Sequence, residues 1–509
     1  MRSAAKVAAG GVLYALALPP VGCSALGWVA LVPLIAVART AAPASALWLG
    51  MLGGYIAGWS VQWWFAETVR HYFALPMSLG VLATMASVLL VWSLPFGLFA
   101  ASVTFLHRRA THVPGPLLVA ASWAASEFLR TRLIGQPWGL LGYSQYTVLP
   151  LIQIAAWTGV YGVSFLLALT AAGLVDSWDA LRSAAPLRVV ARAASWVAVA
   201  PAVWLAGALA MHAAPVEDAP QEVVVVQGNV RPVRHWDRAY GERQLRTHLD
   251  LTRRALRSAH PRLIVWPENA VTRYPEQDPL VAARLADVVR QSGADLLFGA
   301  PRSAGGHIYN SARLLRAGDR HPRHYDKRLL VPFAESPAVG APDIAADGSP
   351  EAFSAGSGAG LLEGFMPMGV SICHEILHPD LIAASVRAGA SVLVNIANDG
   401  LADQGYSVAA EQHAAMAVFR AVETRRFLVR AAATGPSIVV DPLGRVAARL
   451  PQGTSGTLTV QVGARGGWTP YVAIGDGFAI GCLLLVIAAL LPLPVLRRRA
   501  AAALAPAPS

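Results

Sequence analysis

Cys373, Lys327 and Glu268 stand out from the rest of the chain by type and by setting. The protein has three cysteines, and two of them, Cys23 and Cys482, lie in or beside long apolar stretches. Cys373 therefore has no disulfide partner in its own region, and a lone thiol in such a place is either buried or used. Lysine is scarcer still: among 41 basic residues only Lys6 and Lys327 are Lys. An ammonium differs from a guanidinium in being compact and able to shift its pKa when desolvated. Glu268 closes the run Leu-Ile-Val-Trp-Pro-Glu-Asn, at the carboxyl end of an apolar strand, where α/β sheets place their ligand sites. Each has an ordinary reading when taken singly: a buried apolar thiol, a solvated charge, a turn carboxylate. As a set they supply a nucleophile, a base to deprotonate it and a cation for the oxyanion formed when it attacks a carbonyl. His374 offers a Cys–His dyad instead, but consecutive residues at the end of a strand face opposite ways, which argues against a shared proton.

The elements that must position these groups lie between residues 213 and 470. β-Branched and apolar runs at 222–226, 263–266, 295–299, 308–315, 368–373, 391–396, 427–432, 437–441 and 457–462 read as strands. They alternate with helical patterns near 237–258, 279–292, 378–388 and 405–425. That alternation predicts a layered α/β domain. Residues 334–363, rich in Gly, Ala, Ser and Pro, form a loop of the length usually reserved for lids and binding loops.

The flanks are different in kind. The 509 residues are 55% hydrophobic and 14% charged, where a soluble domain carries about 25% charged residues, so an ordinary cytosolic globule is excluded. The net charge of +11 sits mainly at the ends: residues 1–214 hold 11 basic and 4 acidic side chains, and residues 470–509 hold 3 and 1. A nucleic-acid binder concentrates its basic groups on a folded domain, so no nucleic acid is expected as a partner. Apolar stretches near 7–20, 24–38, 44–66, 77–106, 115–131, 150–175, 189–212 and 472–494 approach or exceed the roughly 20 residues that cross a bilayer. Eight spans with a cytoplasmic N-terminus leave Arg2, Lys6, Arg39, Arg108, Arg109, Arg182, Arg188, Arg192 and Arg497 to Arg499 inside. Only Arg70, Arg130 and Arg132 fall in the opposite short loops, as the positive-inside rule requires. The expected organisation is a transmembrane domain of seven helices over 1–212, an extracytoplasmic α/β domain over 213–470, a last transmembrane helix over 471–496 and a disordered cytoplasmic tail over 497–509. Glu127, beside Arg130, is a costly charge within or near a span, either functional or structurally paired. Trp59, Trp63, Trp64 and Phe65 read as an interfacial aromatic belt.

Trp266-Pro-Glu268, Tyr325-Asp-Lys327 running into Leu329-Leu-Val-Pro-Phe-Ala-Glu335, and Ile372-Cys373-His-Glu375 resemble the three signature segments of the nitrilase, or carbon–nitrogen hydrolase, superfamily. Within it the chain is most similar to the bacterial apolipoprotein N-acyltransferases. Leu26-Gly-Trp28, Leu31-Val-Pro-Leu34, Trp123 through Glu127-Phe-Leu-Arg130, Pro137-Trp-Gly139, Gly142-Tyr-Ser-Gln145 and Gly159-Val-Tyr-Gly162 resemble that family's membrane part. Val226-Gln-Gly-Asn229 with Trp236 resembles the start of its catalytic domain. The resemblance implies an α-β-β-α sandwich with Glu268, Lys327 and Cys373 as the catalytic set, supported by Glu335, Glu375, Trp236 and His374. It implies acyl transfer from a phospholipid, through a thioester on Cys373, to the α-amine of a diacylglyceryl-cysteine lipoprotein. The implied setting is the bacterial inner membrane, with the catalytic domain on its periplasmic face and the protein a monomer. No metal or other cofactor is implied. Three positions depart from the family pattern: His374 replaces Tyr, Asn398-Asp399-Gly-Leu-Ala-Asp403 lacks a Trp-Phe-Gly, and Ala334 replaces Gly. A diverged acyltransferase with another amine acceptor, a membrane-anchored amidase or nitrilase, and a transporter or scaffold without catalysis are the alternatives.

Overall fold

Continuous apolar runs such as Val223–Val226 suit strands covered on both faces, and the computed structural model places them at the centre of two stacked sheets. It describes all residues except 74, 110–111, 214–219, 232, 234–235, 320, 332–334, 336–351, 400–407 and 492–509. The strands are β1 (Gln221–Gln227), β2 (Leu263–Val265), β3 (Asp295–Ala304), β4 (His307–Leu315), β5 (Arg323–Asp326) and β6 (Leu361–Glu363). They continue with β7 (Pro367–Ile372), β8 (Val392–Ala397), β9 (Leu428–Ala432), β10 (Ser437–Val440), β11 (Val446–Leu450) and β12 (Gly456–Val462). One sheet has the order β12-β1-β2-β3-β4-β5 and the other β11-β10-β9-β8-β7-β6. The central pairs β1–β2–β3 and β7–β8–β9 are parallel, and the flanking pairs are antiparallel. Val223, Val225 and Leu297 of the first sheet pack between the layers with Val370, Ile372, Val394 and Val429 of the second.

Helices Arg238–Ala255 and Pro279–Ser292 cover the outer face of the first sheet, burying Leu245, Leu249, Leu285 and Val289 against Val224, Ile264 and Phe298. Asp237 and Asp278 cap their first turns by accepting backbone N–H bonds. Helices Pro379–Arg387 and Val408–Thr424 cover the second sheet, which completes the expected α-β-β-α layering. The second of these is buried on almost every side. One face meets the sheet and the other meets the N-terminal helices, so a single apolar core runs from Tyr14, Trp92 and Leu167 through Phe419 and Val422 to Val440.

Among the described residues, three helical stretches are each long and apolar enough to cross a membrane: Met77–His107, Val160–Arg182 and Leu187–His212. The first passes through a π-helical turn at Leu89–Ser93, just before Pro95. Four of the expected stretches are interrupted: 44–66 turns at Trp63 and Trp64, and 472–494, expected as one last helix, divides at Gly475 and Asp476 into Pro470–Ile474 and Gly477–Leu490. Residues 24–38 divide into Ser24–Gly27 and Val32–Thr40. Residues 150–175 begin as the short turns Leu149–Ile152 and Ala155–Thr158, and only after Gly159, at φ 64, does a long helix start. Hydropathy does not register the break within 24–38, because Trp28, Val29, Ala30 and Leu31 remain apolar there.

The two ends of the helical bundle have different chemistry. At one end Arg39 pairs with Asp176 at 2.5 Å, Arg108 donates to the Ala41 carbonyl and Arg109 to the Leu490 carbonyl. Helix Gly477–Leu490, about 21 Å long at 1.5 Å per residue, leads from there to Asp476. Asp476 meets Arg132, which also reaches Asp380 of the α/β layers at 3.0 Å. Gln153 joins the same junction by donating to the Leu443 carbonyl at 2.9 Å. Glu127 and Arg130 each secure the connection over 138–141. Glu127 accepts from the Leu141 N–H at 2.7 Å, and Arg130 donates to the Trp138 carbonyl at 2.9 Å. Trp63 is exposed, whereas Trp64 is buried against Trp138, so only part of the expected aromatic belt faces outward. The expected lid falls mostly on residues 336–351, and the expected tail on 497–509, both outside the described residues.

Candidate active site

Glu268, Lys327 and Cys373 follow the carboxyl ends of β2, β5 and β7, and stacking the two sheets brings those ends together. Glu268 sits one residue before Asn269, which has φ 57. β3 passes so close that a Cβ on Gly299 would lie 2.6 Å from Glu268 Cα. Lys327 is fixed by its own N–H, which donates to the Asn310 carbonyl at 2.8 Å. Cys373 opens a 3-10 turn, Cys373–Leu377, with φ 53. A left-handed backbone at a non-glycine residue is strained, and here it turns the chain abruptly at the end of a buried strand.

Lys327 is 1% exposed, and its Nζ lies 2.8 Å from Glu335 Oε1 and 3.3 Å from Glu268 Oε1. Burial opposes its charge, but the carboxylates of Glu268 and Glu335 outweigh burial and hold the ammonium above its ordinary pKa. Asn310 Nδ2 donates to the same two oxygens, at 2.7 Å to Glu268 and 2.9 Å to Glu335. Glu268 Oε2 accepts the Asn398 N–H at 2.7 Å. Burial, reinforced by Glu268, pushes the Cys373 thiol well above its usual range against the pull of Lys327. The resting sulfur is therefore a thiol, and its attack needs a base. A buried carboxylate and a buried ammonium beside one thiol are the kinds of group that such an attack draws on as base and oxyanion donor.

Two of the supporting candidates are tied directly to this cluster. Glu335 salt-bridges Lys327 and accepts the Val331 N–H at 2.8 Å through its other oxygen. Glu375 is fully buried and accepts from the Tyr325 hydroxyl and from the N–H groups of Arg328, Leu329 and Ile372. Burial raises its pKa although those donors favour the charged form. The other two candidates are more peripheral. Trp236 is half-buried at the start of helix Arg238–Ala255, and among the described residues no hydrogen bond or ring contact joins it to the triad. His374 Nδ1 is buried without a partner, its ring stands edge-on to His378, and burial followed by Lys327 keeps the imidazole neutral. The strand argument against a Cys373–His374 dyad does not apply at a 3-10 turn, yet among the described residues no hydrogen bond links the two.

Sequence reasoning missed Asn310, Asn395 and Arg430, and met Tyr325 and Asn398 only as members of longer segments. Several of them carried a signal: Asn395 and Arg430 interrupt the apolar strands Val-Leu-Val-Asn-Ile-Ala and Leu-Val-Arg-Ala-Ala, and a polar group inside a buried strand requires a partner. No group of three or more His, Cys, Asp or Glu among the described residues could hold a metal ion.

Residues 10–173 match the family described as apolipoprotein N-acyltransferase N-terminal domain, and residues 223–467 match the carbon-nitrogen hydrolase family. The chain is 34% identical to the apolipoprotein N-acyltransferase of Geobacter metallireducens, over 93% of this chain and 92% of that one. It is also 34% identical to that of Azotobacter vinelandii, over 98% and 96%. Among solved structures, Saccharomyces cerevisiae Nit3, a member of branch 10 of the nitrilase superfamily, is similar at 19% identity and a TM-score of 0.39, over 56% of this chain and 99% of that one.

Proposed function

The chain belongs to the apolipoprotein N-acyltransferase family, and from that premise we propose that it moves a fatty acyl chain from a phospholipid to the N-terminal α-amine of diacylglyceryl-cysteine lipoproteins. Glu268 takes the Cys373 proton, Sγ attacks the ester carbonyl, and Lys327 donates to the oxyanion. The C–O bond breaks as Glu268 returns the proton to the departing lysophospholipid oxygen, leaving a thioester. The acceptor amine then attacks that thioester, Glu268 accepts the amine proton, the C–S bond breaks, and the sulfur regains a proton. Glu335 orients the Lys327 ammonium throughout.

The observation that carries this reading is the shared core. Helix Val408–Thr424 lies under the nucleophile's sheet and also against helices apolar enough to enter a bilayer, so the layers that carry the thiol are docked directly on the bundle from which a lipid acyl donor would come. An amidase acting on a small amide would need no such bundle, and the relatives do not favour it. The eight-span arrangement, with the catalytic domain extracytoplasmic and the protein monomeric, belongs to the same proposal. Arg39, Arg108 and Arg109 gather at the bundle end remote from the α/β layers, which supports that orientation.

The test is intact-mass spectrometry after incubation with phospholipid. A fatty-acyl mass on the wild type, absent from Cys373→Ser and removed by neutral hydroxylamine, is the expected result. A folded wild type that neither acquires this mass nor acylates a lipopeptide overturns the reading.

A further inference from the structure

Arg430 lies in the middle of β9, is fully buried, and reaches both halves of the site through its neighbours. Its Nη2 contacts Asp399 Oδ2 at 2.6 Å and Oδ1 at 2.8 Å, while Nη1 donates to Asn395 Oδ1. Asn395 in turn donates from Nδ2 to the Cys373 carbonyl at 3.3 Å and to Ser371 Oγ at 3.0 Å. On the other side, Asp399 follows Asn398, whose N–H is the 2.7 Å donor to Glu268 Oε2. One guanidinium thus stands two contacts from the nucleophile's backbone and two contacts, joined by one peptide unit, from the base.

The surroundings leave Asp399 little alternative. Its Oδ1 also accepts from His413 Nδ1 at 3.0 Å, and Gly435 packs so closely that any side chain there would strike the carboxylate. Stability does not account for the arrangement, because a buried ion pair is commonly no better than apolar side chains of the same volume. Arg426, four residues earlier, shows what a purely structural arginine looks like in the same layer. It is equally buried and donates to the carbonyls of Ala390, Gly466 and Gly467, with no contact to the triad.

We propose that Arg430 is a positioning residue that holds the base Glu268 and the nucleophile Cys373 in register through Asp399–Asn398 and Asn395. A planar fork is needed for this, because it must satisfy Asp399 and Asn395 together, and a lysine's point charge cannot hold both. The inference rests on the reading of Cys373 as the nucleophile.

The test uses full-length protein in phospholipid nanodiscs, with Cys23→Ala and Cys482→Ala so that Cys373 is the remaining thiol. Two rates are read: acyl-enzyme formation by intact mass, and alkylation of Cys373 by iodoacetamide, in which an S–C bond forms, iodide leaves and the proton passes to the base. Arg430→Lys lowers both rates by about 10²-fold, the scale of a small misplacement of reacting groups, with KM for phospholipid unchanged. Arg426→Lys lowers the unfolding temperature but leaves both rates within roughly twofold of the parent. A folded Arg430→Lys with parental rates overturns the proposal, as does an equal loss in Arg426→Lys. Should Arg430→Lys fail to fold, Asn395→Ala, which keeps the Arg430–Asp399 pair, decides: a loss of about tenfold supports it and parental rates overturn it. A parent that is never acylated but shows the same alkylation pattern refutes the acyl-transfer reading and leaves the positioning role standing.

Discussion

Tyr325 directs its hydroxyl at both carboxylate oxygens of Glu375, at 2.9 and 3.0 Å, and so fastens the strand that leads into Lys327 to the turn that begins with Cys373. Glu375 adds the N–H groups of Arg328, Leu329 and Ile372 to that joint. Glu375→Gln puts an NH₂ group where N–H donors point, leaving at least one buried donor unsatisfied at a cost of about 1–3 kcal/mol. Tyr325→Phe removes a donor while Glu375 keeps its three backbone partners, so its cost is about 1 kcal/mol. Thermal unfolding should rank Glu375→Gln below Tyr325→Phe. Acyl-enzyme formation should fall in the same order, because the joint separates nucleophile and cation when it loosens.

Glu268→Gln leaves a thiol with no base. Since burial and Glu268 hold the Cys373 thiol above its usual pKa, the fraction ionised at neutral pH is small. Loss of the base should lower the acylation rate by about 10²–10⁴-fold. The residual rate should climb as pH rises through the alkaline range, where thiolate forms without help. Stopped-time intact-mass measurements across pH check both statements, and a Glu268→Gln variant acylated at the parental rate at neutral pH would remove Glu268 from the base role.

The central strands and the two outer helical layers were legible because their hydrophobic periods are long and undisturbed. The strands that were not anticipated are β5, β6 and β11, and all three are sheet edges. Edge strands are short and half-solvated, so β5 reads as Arg-His-Tyr-Asp and shows no apolar run. Cys373 and Lys327 stand out as candidates for a compositional reason, since a lone cysteine and a lone lysine in one domain draw notice whatever the fold, and Glu268 stands out by its place after an apolar strand. Asn310, Asn398 and Arg430 could not be placed in the same way. Their roles depend on which strand lies beside which, and β4, β8 and β9 are far apart in sequence. Asp399 was noted only as part of a segment lacking aromatics, and its grip on Arg430 appears only when β8 and β9 pair in parallel.

Gly299→Ala probes whether the placement of Glu268 matters as much as its presence. The added methyl would stand 2.6 Å from Glu268 Cα and from the Asn269 N–H nitrogen, both backbone atoms that no rotamer change can move. The Glu268 segment must shift, at a stability cost of about 1–3 kcal/mol typical of overpacking. The chain should remain folded by thermal unfolding while acyl-enzyme formation drops by at least about tenfold. Parental activity in that variant would show that the site tolerates displacement of its base.

His248 provides a pH test that does not depend on catalysis. The ring is fully buried beneath Gly228 and tilted against Trp266, its Nδ1 bonded to the Gln244 carbonyl at 2.8 Å. Burial lowers its pKa to about 4 from an ordinary 6.5, and the hydrogen bond recovers only part of the shift. Between those two values the unfolded chain binds the proton and the folded one does not, so stability rises with pH there. The contribution is fully present above pH 6.5 and is lost as pH falls toward 4, amounting to about 3 kcal/mol for a shift of that size. Unfolding of the wild type followed across pH 7 to 4 should therefore show a steeper acid loss than His248→Asn, which has no proton to take up. Parallel profiles for the two proteins would mean that the imidazole is already charged, or already exposed, in the folded state.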